Sequence, residues 1–327
     1  MAMSPTNDNE TDGCFETIEA ASGRPEPDQP LRPVQVSASN PHRLKALRPR
    51  TKQPRWRSLR PRPKQPSGRL LEKIAGKAGQ TVEKFTLIER SDRILVGLSG
   101  GKDSWTLLEV LLHLRHHAPI PFDIGAVHLE LGLVAEGQQQ AHRSHIDAMC
   151  ERLRQLGVEA YLLETDIGKR VEEMSGSTSP CFLCARFRRG VLYRLAPQLG
   201  FTKIALGHHA DDMIETLLLN QLFTGQLKSM PPRLRSDDGK NIVIRPLASV
   251  WEEETADYVR LRNLPILPSS CAGCHPEEPT RREWVKGLLD RIERHHPGTK
   301  GYLLASLGHV RVSHLLDTSL YDFVAGL

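Results

Sequence analysis

Apolar and polar positions alternate along the chain in two periods, and the change from one to the other marks out its elements. "LLEKIAGKAGQTVEKFTLI" (Leu70–Ile88) places apolar residues at helical spacing and predicts a lead-in helix. "DRILVGL" (Asp92–Leu98) predicts a short buried strand, and "SWTLLEVLLHLRHH" (Ser104–His117) a helix. The pattern then repeats. Strands are expected at Phe122–Leu131, Glu159–Thr165, Thr202–His209 and Asn241–Leu247. Helices are expected at Gln139–Gly157, Cys184–Gly200, Asp211–Phe223 and Trp251–Arg262, two of them closed by glycine. Strands alternating with helices predict an α/β fold, a doubly wound parallel sheet covered on both faces. In such sheets ligands bind outside the carboxyl ends of the strands. No repeat of solenoid length is present.

This periodicity is missing from residues 1–67, where Pro, Arg, Ser and Asn dominate. That stretch is expected to be a disordered extension, followed by one domain over 68–327. Charge is divided in the same way. Residues 41–69 hold eleven Lys or Arg and no acid, so the net charge of +5 is a property of the tail. Such a tail, with Trp56 inside it, suits RNA phosphates and stacking; a solubilising linker, or a start codon upstream of the true one, explains it equally well. No run of about 18 apolar residues predicts a membrane span. The first residues lack the apolar core of a secretory signal and are acidic, so a cytoplasmic protein is expected.

The chemistry sits at the strand ends. "SGGKDS" (Ser99–Ser104) breaks a strand into a helix. It is neither a Walker A loop nor a Rossmann fingerprint. Gly100 and Gly101 nevertheless let the backbone turn tightly and approach a ligand, and amides at the helix start attract an anion. Ser99 and Ser104 offer hydroxyls, and Lys102 a point charge. Asp103 suits orienting the loop, capping the helix or touching a metal. About 105 residues on, "GHHADD" (Gly207–Asp212) follows another strand. Asp211 and Asp212 suit magnesium. His208 and His209 suit a phosphate or plain packing.

Four of the six cysteines form two CxxC pairs, Cys181/Cys184 and Cys271/Cys274. In a cytosolic chain this spacing points to metal or redox chemistry. On spacing alone a structural zinc site of four thiolates fits as well as an iron–sulfur cluster. Cys150 falls on the apolar side of a helix and reads as a packed thiol, and Cys14 stands apart. Arg186, Arg188 and Arg189 flank the first pair, with Lys228, Arg233 and Arg235 further on; they suit nucleic-acid phosphates or a solvated face.

SGGKDS together with GHHADD resembles the PP-loop ATP pyrophosphatases (adenine nucleotide alpha-hydrolase-like, Rossmann-like), which cleave ATP between the α and β phosphates and adenylate an oxygen. Within that superfamily "CFLCARFRRGVLYR", "KIALGHHADD", "MPPRLRSDDGKNIVIRPL" and the closing "SHLLDTSLYDF" resemble the tRNA 2-thiocytidine synthetase (TtcA) branch from about Leu71 to Phe323. The resemblance implies ATP held by Ser99–Ser104, Gly207 and His208, with His128 and Glu130 near adenine and ribose. Lys102, Asp103, Asp211 and Asp212 are implied in catalysis, with Mg2+. It also implies a [4Fe-4S] cluster on Cys181, Cys184 and Cys274, with Cys271 as the alternative third ligand, and an open site on the fourth iron. A tRNA substrate thiolated at C2 of cytidine 32, a cysteine desulfurase as sulfur source and a homodimer follow from the same resemblance. Two rival readings are a thiolase acting on a tRNA uridine and a zinc-stapled RNA- or nucleotide-binding module. One segment departs from the branch: after the second strand D-Q-x-Q-P-G is replaced by "ELGLVAEG", so an Asp becomes Glu130.

Overall fold

The structure, a computed structural model, describes residues 16–17, 43–47, 60–134, 137–174, 179–267 and 280–325. It divides into two compact units, residues 1–209 with 231–276 and residues 210–230 with 277–327.

The first unit is built on the expected alternation. The strands are β1 (Glu16–Thr17), β2 (Arg43–Leu47), β3 (Arg93–Gly97), β4 (Asp123–Glu130), β5 (Glu159–Glu164), β6 (Lys203–Ala205), β7 (Arg233–Arg235) and β8 (Ile242–Ile244). They form one sheet in the order β1-β2-β5-β4-β3-β6-β8-β7. The five strands anticipated from hydrophobic pattern, β3, β4, β5, β6 and β8, are its parallel centre. The order reverses at β3, which pairs with both β4 and β6. That reversal opens a crevice beyond the strand ends.

Helices α1 (Pro66–Lys84), α2 (Lys102–His117), α3 (Gln139–Leu156), α4 (Ile167–Met174), α5 (Pro180–Gln198) and α7 (Glu252–Arg262) complete this unit. Alternating strand residues feed two cores. Ile94 and Val96 of β3 join α1, α2, α3 and α7, with Trp105 fully buried among them. Leu95 joins Val127, Tyr161 and the apolar faces of α4 and α5. Cys150 is buried in the first core, as its helical position implied. A buried carboxylate ties the first core together. Glu109 on α2 accepts from Tyr258 on α7 and pairs with Arg152 on α3 and Arg262 on α7. Such a charge is tolerated inside only when it is paired this fully.

Several expectations are corrected. The lead-in helix starts four residues earlier and ends four earlier than its apolar pattern, because Pro66 suits its first turn. The sheet is not purely parallel: β2 runs antiparallel to β5, and β7 to β8, each covering an edge. Disorder over 1–67 does not hold for residues 43–47. There Leu44, Ala46 and Leu47 are buried, and Lys45 pairs with Glu164 at 3.2 Å. Residues 1–15, 18–42 and 48–59, including Cys14 and Trp56, lie outside the described residues. Helix α4 escaped notice because it is only two turns long.

The second unit holds α6 (Ala210–Thr224), α8 (Arg281–His295), α9 (Thr299–Ser306) and a 3-10 turn at Val312–His314. Thr280 caps α8 and forms a reciprocal box with Glu283. Phe223 of α6 meets Trp284 of α8 edge to face at 6.1 Å. Among the described residues no helix is long and apolar enough to cross a membrane.

Candidate nucleotide and cluster site

The loop after β3 has a conformation that only glycine supplies. Gly100 has φ +81, and a Cβ there would lie 2.1 Å from Leu267 Cδ1. Leu267 also donates its amide to the Gly100 carbonyl at 3.0 Å. Its segment is pinned in turn by Trp105 Nε1, which donates to the Pro265 carbonyl at 2.8 Å. Gly101 is the N-cap of α2 in extended geometry, with no side chain closing the helix. The first-turn amides therefore keep their anion-binding character. Ser104 is buried and donates to the Gly101 carbonyl at 2.8 Å, so its hydroxyl braces the loop instead of pointing outward. Ser99 accepts from the Gly101 amide at 3.3 Å.

Lys102 lies between two carboxylates, Asp103 Oδ2 at 2.9 Å and Glu252 Oε1 at 3.0 Å. Burial pulls its pKa down, but the two partners outweigh this and hold it above the ordinary lysine value. Asp103 does not cap the helix. Its Oδ1 accepts from Thr255 Oγ1 at 2.5 Å, and His209 Nε2 stands 3.8 Å from its Oδ2. It therefore links α2, α7 and the loop after β6, which favours the orienting role among those the sequence left open.

The second motif touches the first through backbone. A Cβ on Gly207 would lie 2.9 Å from the Asp103 carbonyl carbon and 3.0 Å from the Ser104 nitrogen. Neither can yield without moving the start of α2. Gly207→Ala is accordingly expected to raise the KM for ATP at least about tenfold and to destabilise the fold by about 1–3 kcal/mol. Pyrophosphate-release kinetics and thermal unfolding check this, and an unchanged KM would refute the close packing. His208 is half-buried and accepts from Arg245 Nε at 3.3 Å, while His209 is buried.

Beside the loop lies a cavity of about 330 Å³, lined by Ser99, Gly101, His128, Glu130, Arg188 and Leu267 among others. His128 Nδ1 contacts the Leu98 carbonyl at 2.8 Å. A carbonyl only accepts, so Nδ1 carries the proton and Nε2 is left as an acceptor. Burial pushes the His128 pKa down and keeps the ring neutral, against the opposing pull of that carbonyl and of Glu130. Glu130 contacts His142 Nε2 at 2.5 Å and accepts from the Gly132 amide at 3.2 Å.

Cys181, expected just ahead of a helix beginning at Cys184, lies inside it: α5 begins at Pro180, and both cysteines fall among its first five residues. Three residues apart, they share a helix face. Cys181 is exposed, Cys184 is half-buried, and neither is in a disulfide. Burial pushes the Cys184 thiol up, and the Arg188 cation works the other way. Two thiols outside any disulfide, near a helix N-terminus, suit a metal or cluster. Cys271 and Cys274 lie outside the described residues, and among the described residues no group of three side chains forms a complete metal set.

The basic residues separate. Arg188 lines the nucleotide cavity, whereas Arg186 and Arg189 face another hollow on α5. Arg233 is engaged with the Thr86 carbonyl at 2.5 Å and Glu89 at 3.2 Å, and Arg235 reaches the Gly239 carbonyl at 3.3 Å. Lys228 lies in the second unit and is exposed. So do Asp211 and Asp212, in the first turn of α6. Asp211 is buried with Lys300 Nζ at 3.3 Å, and Asp212 pairs with Arg282 at 3.1 Å. Glu252, Thr255, His142, Arg245 and Leu267 were not anticipated. No spacing marks them, because each reaches the site from a distant part of the chain.

Residues 70–267 match the PP-loop domain family. A tRNA-cytidine(32) 2-sulfurtransferase of Anaeromyxobacter dehalogenans is 46% identical over 259 residues, covering 79% of this chain and 86% of that protein. The chain belongs to the tRNA-cytidine(32) 2-sulfurtransferase family. The sulfurtransferase of Deinococcus radiodurans is 45% identical, covering 79% of this chain and 83% of its own. Among solved structures, the U34-tRNA thiolase NcsA from Methanococcus maripaludis, with its [4Fe-4S] cluster, superposes with a TM-score of 0.59. It is 22% identical, covers 76% of this chain and 80% of its own, and shares the fold. The matched stretch, residues 70–267, contains the glycine loop, GHHADD and the first CxxC.

Proposed function

We propose that the protein is an ATP-dependent tRNA thiolase that activates the C2 oxygen of cytidine 32 and replaces it with sulfur. The relatives named above carry that activity in their names. One observation carries the reading in physical terms. Arg188 lies one helical turn after Cys184 and lines the cavity beside the glycine loop. A CxxC thiol pair and a nucleotide cavity thus share one helix.

In the activation step the C2 oxygen attacks the α-phosphorus, the bond to the β-phosphate oxygen breaks, and pyrophosphate leaves. Lys102 and the α2 amides neutralise the phosphate charge, while Asp103, fixed by Thr255, keeps Lys102 in place. His128 offers Nε2 as an acceptor to a ribose or adenine donor. Sulfur at the sulfide level (HS−, or desulfurase-derived persulfide sulfur reduced by a two-electron thiol reductant) then adds at C2 and loses its proton; the C2–O bond breaks and AMP departs with the former C2 oxygen. Asp211 and Asp212 are the carboxylates suited to Mg2+, which would lend positive charge to a leaving phosphate. Cys181 and Cys184, with Cys274 or Cys271, would hold a [4Fe-4S] cluster, which supplies an iron coordination site for inorganic sulfur. A cysteine desulfurase as donor, a homodimeric assembly and a cytoplasmic setting complete the proposal.

Nucleoside analysis of tRNA from a deletion strain tests it. Loss of 2-thiocytidine, restored by the gene, is expected. Unchanged 2-thiocytidine with loss of a thiouridine would transfer the activity to uridine. Anaerobically purified protein that is colourless, iron-free and stoichiometric in zinc would remove the cluster.

A further inference from the structure

Helix α5 carries four arginines after its cysteines, and they part ways. Arg188 lines the nucleotide cavity. Arg186, Arg189 and Arg194 line a separate hollow of about 350 Å³, together with Phe187, Tyr193 and, from α4, Arg170. Positions 186, 189 and 193 recur at steps of three and four along α5, so they share one face, with Arg194 at its border. The four guanidinium-bearing residues of this hollow are exposed, while both aromatics are half-buried. Arg170 stacks its guanidinium 4.5 Å above the Phe187 ring, which fixes one cation and leaves its edge for an acceptor. Burial, the largest influence on Tyr193, pushes its pKa up, so its hydroxyl stays a donor. Among the described residues no acidic side chain lines the hollow, although Asp237 and Asp238 act on Tyr193 from nearby, as do the cations Arg189 and Arg245.

Four cations around two aromatic rings is the composition that single-stranded nucleic acid selects. Guanidiniums take phosphate oxygens bidentately, and a ring of either aromatic takes an unstacked base. A small anion would use the charges and leave the rings unused. A membrane surface would need a flat basic face rather than a hollow. The spacing along the helix supports the same choice. Arg186 to Arg194 lie two to ten residues beyond Cys184, about 3–15 Å of helical rise. A strand lying along this face therefore passes the cysteine end of α5.

We propose that the hollow formed by Arg170, Arg186, Arg189, Arg194, Phe187 and Tyr193 is a subsite for the single-stranded loop of the tRNA. It grips the backbone phosphates next to the nucleotide being modified and stacks one base. The inference rests on the tRNA reading of the function and deepens it. Arg188 is excluded from this role by its place in the other cavity.

The test uses the full-length holoprotein, purified anaerobically, and unmodified tRNA transcript followed by fluorescence anisotropy. The variants are Arg170→Glu, Arg194→Glu and their pair, with Arg194→Lys as the conservative change and ATP affinity as the control. The pair is expected to weaken tRNA binding at least about thirtyfold at 0.1 M salt. It should also lower the slope of log affinity against log salt by about 1–2, with ATP affinity within twofold of wild type. Arg194→Lys should retain most of the affinity. If the pair fails to fold, the single variants carry the test through the salt slope alone. Wild-type protein that binds tRNA while variants with normal ATP affinity bind it equally well overturns the subsite and leaves the thiolase reading standing. Wild-type protein with no affinity for tRNA overturns both.

Discussion

Lys102→Met is expected to lower the rate of ATP α–β cleavage about a thousandfold and to weaken ATP binding at least tenfold. Lys102 is the cation of the glycine loop, and removing one such preorganised charge typically costs 10²–10³ in rate. The geometry adds a second penalty. Lys102 Nζ separates Asp103 Oδ2 from Glu252 Oε1 at 2.9 and 3.0 Å. Without it two carboxylates face each other where a polyphosphate must lie, and the site turns from attractive to repulsive. Adding Glu252→Gln to Lys102→Met should therefore recover part of the ATP affinity but little of the rate. Calorimetric ATP titration and pyrophosphate release separate the two effects. A double variant no better at binding ATP than the single one would show that Glu252 does not face the phosphates.

Cys184→Ala is expected to abolish iron incorporation and tRNA thiolation while ATP still binds. Cys184 is half-buried about one turn after Cys181 on α5, and its thiol is held up by burial against the pull of Arg188. A bound metal reverses that balance by stabilising the thiolate directly. Removing one ligand of three leaves two, too few to keep a cubane in place. Iron and sulfide analysis, the visible absorption of the anaerobic protein and 2-thiocytidine formation give three independent readouts. Cys150→Ala serves as the contrast: this thiol is buried in the apolar core, so the change should cost about 1–2 kcal/mol of stability and no iron. Normal iron content in Cys184→Ala would remove it from the ligand set.

Much of this was legible in the chain. The five parallel strands appeared as apolar runs because a strand buried on both faces has nowhere to place polar residues. The glycine loop was legible because φ +81 at Gly100 and backbone contact at Gly207 each tolerate only glycine. Helix α5 was placed four residues late because its first turn, Pro180–Leu183, shows no apolar period of its own. Strand β2 was hidden because five residues in an arginine-rich stretch carry too little alternation to register, yet four of them, Leu44–Leu47, are buried where the strand pairs with β5.

The sequence by itself determined the phosphate-binding chemistry, the thiol pair and the sheet that carries them. These depend on local spacing: which residues follow a strand, and which lie a helical turn apart. Tertiary structure decided what surrounds them. Glu252 and Thr255 reach Lys102 and Asp103 across about 150 residues of chain, and Leu267 closes over Gly100 from still further. Arg188 and Arg189 are adjacent in sequence and serve different cavities, because neighbouring residues on a helix point about 100° apart. A one-dimensional pattern records which side chains are present; which of them share a cavity is fixed only when distant segments pack.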